Sequence, residues 1–530
     1  MARGPLRGLR DAALRAGFLV AALYFLAIYV VPGLRHHQRF QLQNFDYGIL
    51  YHSTWRLAQG LDSFLPVRGV HTWADNQEYF QWLLVPLHLL PGTPYLMLGA
   101  HGLALWGCGV VAYRALPGGG AVALLAAGFV WSSTFLRNAS LDLFHVESFS
   151  TLLLLSLYLA CREGWQGRAA LSLLLALSCK EDVALTTATL LAFVAARPRE
   201  FRLPRRWALA GIGLSLGVLV LNLFVVLPHY REATCARLGV EPPVEDALAP
   251  RPVSPFFAEL PEKLARPGFY AERLARPELG AYLARLLWPA LVAVPVAPLA
   301  ILLPLPAAFA NALADGGYFV EGFWHYDHAS FGMVAVAVLH ALPRLRRGCL
   351  WAGLLVAGNL VVAGTAHPPP RVALRAPLEA SFWDLRPETT VLAARELARS
   401  LPADAAVSAD YTSLNYLAER PGIYMYPNPF LGAYFGIAGA CEGPLDVPVD
   451  VVLLRDGYPQ REEIAGRLER DYETWIVSLE GGEFRFRVLL RRASPRAAEL
   501  RRALHNFPLG VGTSYREGSQ RAGETDPPPQ

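Results

Sequence analysis

Residues 141–149 read LDLFHVESF, set between two apolar runs, AVALLAAGFVW (121–131) and STLLLLSLYLA (150–160). Asp142, His145 and Glu147 fall within six residues, at the boundary of two long apolar runs. Three ionisable groups at such a boundary have two readings. They are an ordinary helix start, or they line a polar cavity between membrane helices.

The remainder of the chain decides the setting. Of 530 residues, 53% are hydrophobic and 17% charged, with mean hydropathy +0.29. Soluble domains carry about 25% charged residues. Repeated apolar runs approaching 20 residues read as membrane spans. A polytopic α-helical membrane protein of about 11 spans is expected, at about 17–34, 94–114, 120–136, 148–161, 168–179, 183–196, 207–228, 284–297, 298–312, 329–343 and 349–366. The proline-rich stretch 284–312 reads as one broken helix or two short ones. The net charge of +4 is too small to indicate nucleic acid as a partner; the lipid bilayer is the expected one. The six cysteines form no CxxC pair, and Cys235 and Cys441 lie outside the apolar runs, where a disulfide is one option in an oxidising compartment. No GxGxxG follows a strand and no GxxxxGK[ST] occurs, which argues against an ATP-driven pump or a Rossmann-type nucleotide-sugar enzyme.

Arginine placement orients the chain. The basic segments CREGWQGR (161–168), ARPREFRLPRR (196–206) and RLRRG (344–348), with the arginine-bearing N-terminus, fall on one side under the expected spans. The positive-inside rule assigns that side to the cytoplasm. The first run then reads as a span rather than a cleaved signal, since it is long and lacks a small-residue cleavage site. The opposite side receives NFDYG (44–48), HTWADNQEY (71–79), RNASLDLFHVE (137–147), KED (180–182) and EGFWHYDH (321–328). Ionisable groups at membrane depth are expensive and commonly functional, so their gathering on one face predicts a shared outward-facing cavity.

From about 384 to 492 the pattern changes. TTVLAARELARSL has helical spacing, AAVSADY, VDVVLLR and FRFRVLLRR read as strands, and LNYLAERPGIYMYP reads as helix, turn and strand. A small extracytoplasmic α/β domain is expected there, after a transmembrane domain at 1–366. The polar segment 511–530 is expected to be a disordered tail.

With these motifs in hand, the chain resembles the membrane-protein family DUF2079. NFDYGILYHSTWRLAQG (44–60) is similar to its Phe-Asp-x-Gly segment, with Tyr51-His52 standing near its usual Gln. FHVESFSTLLLL (144–155) resembles its Phe-His-Pro-Glu, with Val146 in place of proline. SCKEDVAL (178–185), FWHYDHAS (323–330) and AAVSADYTSLNYLAERPGIYMYP (405–427) are similar to three further elements in the same order. That family in turn resembles the GT-C glycosyltransferases, multi-span enzymes that use polyprenyl-phosphate sugars and carry an acidic residue in the first external loop.

The resemblance implies a glycosyltransferase of the bacterial inner membrane. It would move sugar from a polyprenyl-phosphate-linked donor to a glycan, lipid or protein acceptor on the extracytoplasmic face. Asp46 takes the position of the hallmark carboxylate and is the candidate catalytic base; as an alternative it caps a juxtamembrane helix. His71, Asp75 and Glu78 match one helical face by spacing, and equally a solvated surface helix anchored by Trp73, Phe80 and Trp82. Arg137, His145 and Glu147 are candidates to contact phosphate, sugar or metal, against the helix-start reading. Lys180 and Glu181 sit in a turn between two short spans, where Lys180 suits a phosphate leaving group. His325, Tyr326 and His328 precede the tenth span and either contact the lipid phosphate or mark the interface. Asp75, His145 and Glu147 are the candidate ligands should a divalent cation be required. The competing functions are a transporter or flippase of a lipid-linked or anionic solute, and a non-catalytic envelope protein.

Overall fold

The computed structural model describes residues 4–41, 45–116, 120–142, 144–239, 265–314, 317–366, 369–432, 444–455, 457–459, 461–478, 485–505, 507 and 513–515. Helix lies in each expected span, but 284–312 is a series of short segments, α to Leu287, 3₁₀ at Trp288–Ala293 and Pro298–Leu302, and α at Leu305–Leu313. Four helices are long and apolar enough to cross a bilayer by themselves: Leu9–Gln38, Thr93–Arg114, Arg205–Leu238 and Gly348–Thr365. The others are shorter, and several of them pack around the helix His328–Ala341, every residue of which is buried. Its neighbours include the helix Ser148–Glu163.

Small residues permit the closest crossings. A methyl group at Gly102 would lie 2.5 Å from the Tyr29 carbonyl oxygen and 2.9 Å from Val30 Cγ2. Helices Thr93–Arg114 and Gly4–Gln38 therefore touch backbone to side-chain position, as membrane helices do where small residues meet.

The two ends of the bundle differ in chemistry. At one end the arginine loops meet. Leu203 N donates to Cys161 O at 3.1 Å, Arg162 donates to Ala115 O, and Arg344 Nη2 lies 2.8 Å from Glu200 Oε2. The polar segments converge at the other end and join the C-terminal region there. Tyr416 OH donates to His37 O at 2.7 Å, Glu388 N to Gln38 O at 2.9 Å, and Arg56 Nη1 to Pro421 O at 3.0 Å. The same-sidedness inferred from the arginines thus holds in three dimensions.

A two-stranded hairpin, β1 (Phe64–Leu65) and β2 (Val70–His71), lies in the first polar loop. The C-terminal region builds a six-stranded mixed sheet from β3 (Val407–Ala409), β4 (Ile423–Met425), β5 (Val451–Arg455), β6 (Tyr472–Ser478), β7 (Arg485–Arg491) and β8 (Thr513–Tyr515). The strand order is β4-β3-β5-β7-β6-β8, with β3 parallel to β4 and β5 and the other pairings antiparallel. Alternate residues Val451, Leu453, Phe486 and Val488 face the helices Thr389–Ser400 and Ala497–His505, whose Val391, Leu397, Leu500 and Leu504 close that core.

Four local expectations change. The run 120–136 is broken at Ser133, whose extended backbone separates Ala121–Ser132 from Thr134–Ala139. The seventh span does not stop at 228 but continues as helix to Leu238; a π-turn, Asn222–Val226, precedes Pro228 and takes up the interruption that its missing N–H makes. Residues 71–78 form no single helix. Val70–His71 is strand, Thr72–Asp75 one helical turn, and Asn76 is extended, so His71, Asp75 and Glu78 do not share a face. Within the tail expected to be disordered, Thr513–Tyr515 pairs with β6; residues 516–530 lie outside the described residues.

Candidate functional site

The stretch 141–149 is a junction. Phe144 takes a left-handed backbone, φ 50°, unusual for a bulky side chain and supported by burial in an apolar cluster with Val146, Cys179 and Tyr47. On one side of that bend Asp142 pairs with Arg371 at 3.2 Å, tying the loop to the segment that follows the last membrane helix. On the other side lie His145, Glu147 and Ser148. Ser148 Oγ stands between His101 Nε2 at 2.8 Å and His328 Nε2 at 2.9 Å.

Glu147 is the centre of the polar cluster. Its Oε1 accepts from Lys180 Nζ at 2.7 Å, and its Oε2 lies 3.7 Å from His145 Nδ1. Both acid and amine are largely buried. Glu78 approaches the same charges and accepts from Gln81 Nε2 at 2.8 Å, which in turn is held by Ser53 Oγ at 2.5 Å. The segment around Phe80 is fixed to the chain entering the KED turn by Phe80 N donating to Ser178 O at 2.8 Å. Glu181 accepts from Gln77 N at 3.4 Å, and Lys180 lies 5.8 Å from the centre of the Tyr326 ring.

The electrostatics follow from crowding. Burial, reinforced by the Glu147 charge, holds Glu78 well above the usual carboxylate range. Burial likewise raises Glu181, to about 7. Burial opposes the Lys180 charge, but the carboxylates of Glu147, Asp182 and Glu181 outweigh it and hold the ammonium above its usual range. The cluster therefore keeps one firm cation among acids that bind protons readily.

Of the expected site residues, Glu78, His145, Glu147, Lys180, Glu181 and Tyr326 are gathered here. His71 is placed apart: its ring Nδ1 lies 3.1 Å from Ser63 Oγ and its backbone N–H donates to Thr234 Oγ1. Asp75 pairs with Arg68 at 3.0 Å. Arg137 is buried and donates to Ser132 O and Val372 O, a structural tie. His328 joins the Ser148 relay. Asp46 is the second residue of the helix Phe45–Ala58, and His325 opens the short turn His325–Asp327; their side chains lie outside what is described. The candidate metal set Asp75, His145 and Glu147 is not assembled, because Asp75 is held by Arg68. Among the described residues no group of three or more His, Cys, Asp or Glu side chains is arranged to hold a metal ion, so no step is routed through one. Sequence reasoning missed Ser148, His101 and Gln81, polar residues whose role appears only when separate segments meet. It also missed Tyr282, whose hydroxyl donates to Asp327 at 2.6 Å.

The helix carrying Asp46 belongs to the same assembly. Tyr47, Leu50 and Tyr51 share one apolar cluster with Phe144, Val146, Cys179 and Val183, the residues that flank His145 and Lys180. From its other side the C-terminal region grips that helix: Tyr51 OH donates to Glu419, and His52 Nδ1 lies 2.7 Å from Ala418 O. A methyl at Gly48 would meet Leu414 Cδ2 at 2.5 Å.

The family model described as "Predicted membrane protein (DUF2079)" matches residues 36–430, which include every element of this site. The chain belongs to the DUF2079 family. No curated protein is similar to this DUF2079 chain at a significant level. Among solved structures it is similar to ArnT from Cupriavidus metallidurans, bound to undecaprenyl phosphate, at 14% identity and a TM-score of 0.46, over 90% of this chain and 98% of that one. The apo form of the same ArnT is similar at 13% identity, with the same TM-score and coverage. Cys235, in the DUF2079 segment at the polar end, is disulfide-bonded; Cys441 lies outside the described residues.

Proposed function

We propose that this protein is a membrane glycosyltransferase that moves a sugar from a polyprenyl-phosphate donor to an acceptor at the extracytoplasmic face. The observation that carries the reading is the buried Lys180–Glu147 pair, 2.7 Å apart, beside Glu78 and packed under the helix on which Asp46 sits. The polar end lies opposite the arginine loops, which the positive-inside rule places in the cytoplasm. A disulfide at Cys235 accords with an oxidising side.

Transfer breaks the bond between the sugar's anomeric carbon and the phosphate oxygen and forms one to the acceptor oxygen. Asp46 takes the acceptor's hydroxyl proton. The bonding pair leaves with polyprenyl phosphate, and Lys180 meets that charge. Glu147, Asp182 and Glu181 keep Lys180 cationic, and Glu147 holds it in place until the donor arrives. The C-terminal region positions the Asp46 helix through Gly48, Tyr51 and His52.

One observation favours a second reading. Glu78 and Glu181, held above the usual carboxylate range, are the kind of acids that proton-coupled transporters use. The test separates the two. Protein in proteoliposomes is given donor lipid with labelled sugar. A transferase separates label from lipid in the presence of acceptor membranes, whereas a transporter carries the intact lipid across and leaves the label attached.

A further inference from the structure

Beside the acid cluster lies a group of side chains that the reaction above does not use. Trp73, Tyr79 and Tyr230 have ring centres 5.8 Å (Trp73–Tyr79) and 5.1 Å (Trp73–Tyr230) apart. Tyr79 OH donates to Asn222 Oδ1 at 2.9 Å, and Gln77 Nε2 donates to Trp73 O at 3.2 Å. The Gln77 backbone N–H reaches Glu181, which adjoins Lys180. Gln77 is fully buried and Asn222 is 1% exposed.

Three polar atoms in this group are buried and find no hydrogen-bond partner among the described residues: Trp73 Nε1, Gln77 Oε1 and Asn222 Nδ2. Buried polar groups are almost always satisfied, so each of these asks what meets it. The set contains two donors and one acceptor. A phosphate only accepts and leaves Gln77 Oε1 unmet; an ammonium only donates and leaves Trp73 and Asn222 unmet. Neighbouring hydroxyls both donate and accept, and so meet all three. Aromatic walls with a few placed amides are what a ring with apolar C–H faces and polar edges requires.

The backbone and the outer surface agree. Asn222 begins the π-turn Asn222–Val226, a distortion found frequently at functional sites. Around it Leu221, Phe224 and Val225 are each at least half exposed on a membrane helix, so a lipid chain can lie alongside. We infer that Trp73, Gln77, Tyr79, Asn222 and Tyr230 form a subsite for the sugar ring of a lipid-linked donor, with Leu221, Phe224 and Val225 as the path of its chain. The donor assignment rests on the transferase reading; the sugar-binding chemistry does not.

The test uses the full chain in lipid nanodiscs and reads equilibrium binding. The probes are bare polyprenyl phosphate, polyprenyl phosphates bearing mannose, arabinose or glucosamine, and free mannose as competitor. At least one sugar-bearing lipid is expected to bind about tenfold or more tighter than the bare lipid, a difference of ~1.4 kcal/mol. Trp73→Phe, which keeps a ring and loses the N–H, and Asn222→Leu should both abolish that preference while leaving bare-lipid binding unchanged. Free mannose binding to wild type, without any preference for a sugar-bearing over the bare lipid, would assign the subsite to a soluble sugar and overturn the donor assignment. No preference for any sugar-bearing lipid, or a wild-type preference in both variants, overturns the inference. Transfer activity alongside an unaltered preference would sink the subsite and leave the transferase standing. A preference lost in the variants, with no transfer by wild type, would do the reverse.

Discussion

Lys180 and Glu147 meet at 2.7 Å although 33 residues separate them, and both side chains are at most 15% exposed. One closes the turn between two short spans and the other starts the fourth. Their pairing fixes the position of LDLFHVESF against KED.

Removing one partner of a buried pair strands the other. Glu147→Gln and Lys180→Met should each destabilise the protein by about 3–5 kcal/mol. The double variant, with no stranded charge, should recover much of that loss. Thermal unfolding in detergent is the check, and singles as stable as wild type would show the pair to be solvated.

Stability should also depend on pH through Glu181. Its carboxyl is raised from 4.5 to about 7 by burial, so the folded state holds its proton more tightly than the unfolded chain. Stability then falls as pH rises from about 4.5 through about 7 and is flat beyond, as far as this group contributes. Melting temperature measured across that window should show a shallower decline in Glu181→Gln. An unchanged slope would mean that Glu181 titrates normally.

Gly102→Ala should lower the melting temperature and the yield, since a methyl 2.5 Å from the Tyr29 carbonyl forces two membrane helices apart. Gly99→Ala on the same helix, with nothing within 4 Å, is the matched control and should be neutral. Equal behaviour of the two would deny a tight crossing.

Topology is open to a direct check. Alkaline phosphatase fused after residue 380 should be active, and a reporter that works only in the cytoplasm should be silent there. The reverse pattern would turn the polar end inward and remove the proposed acceptor side.

The parts of this molecule that were legible in the sequence are those written locally. Apolar run length marked the membrane helices in outline, the arginines of 161–168 and 196–206 marked one end, and the continuous apolar VDVVLLR and the alternating FRFRVLLRR marked two strands. Glu147, Lys180 and Tyr326 stood out because charge and aromatic groups are conspicuous beside apolar runs. The remainder depends on contacts that no local pattern records. Arg371 finds Asp142 across 229 residues. Glu78 reaches the cluster through a turn where spacing suggested a helix. Asn222 is hidden within an apolar helix until the π-turn and Tyr79 give it a setting. β6 and β8 were missed because one alternates weakly and the other is only three residues long at a sheet edge.

In the proposed transfer Asp46 accepts the acceptor's proton. Asp46→Asn keeps size and hydrogen bonding, so the helix Phe45–Ala58 should still form and the protein level should hold. Asp46→Glu, with its carboxylate displaced by one methylene, should be partly active at best. The decisive measurement is the rate of sugar transfer from polyprenyl-phosphate donor to acceptor membranes by Asp46→Asn and wild type at equal protein level. The expected result is a fall of about 10²–10⁴-fold with donor binding retained. Wild-type transfer by the Asn variant would contradict it and remove Asp46 as the base.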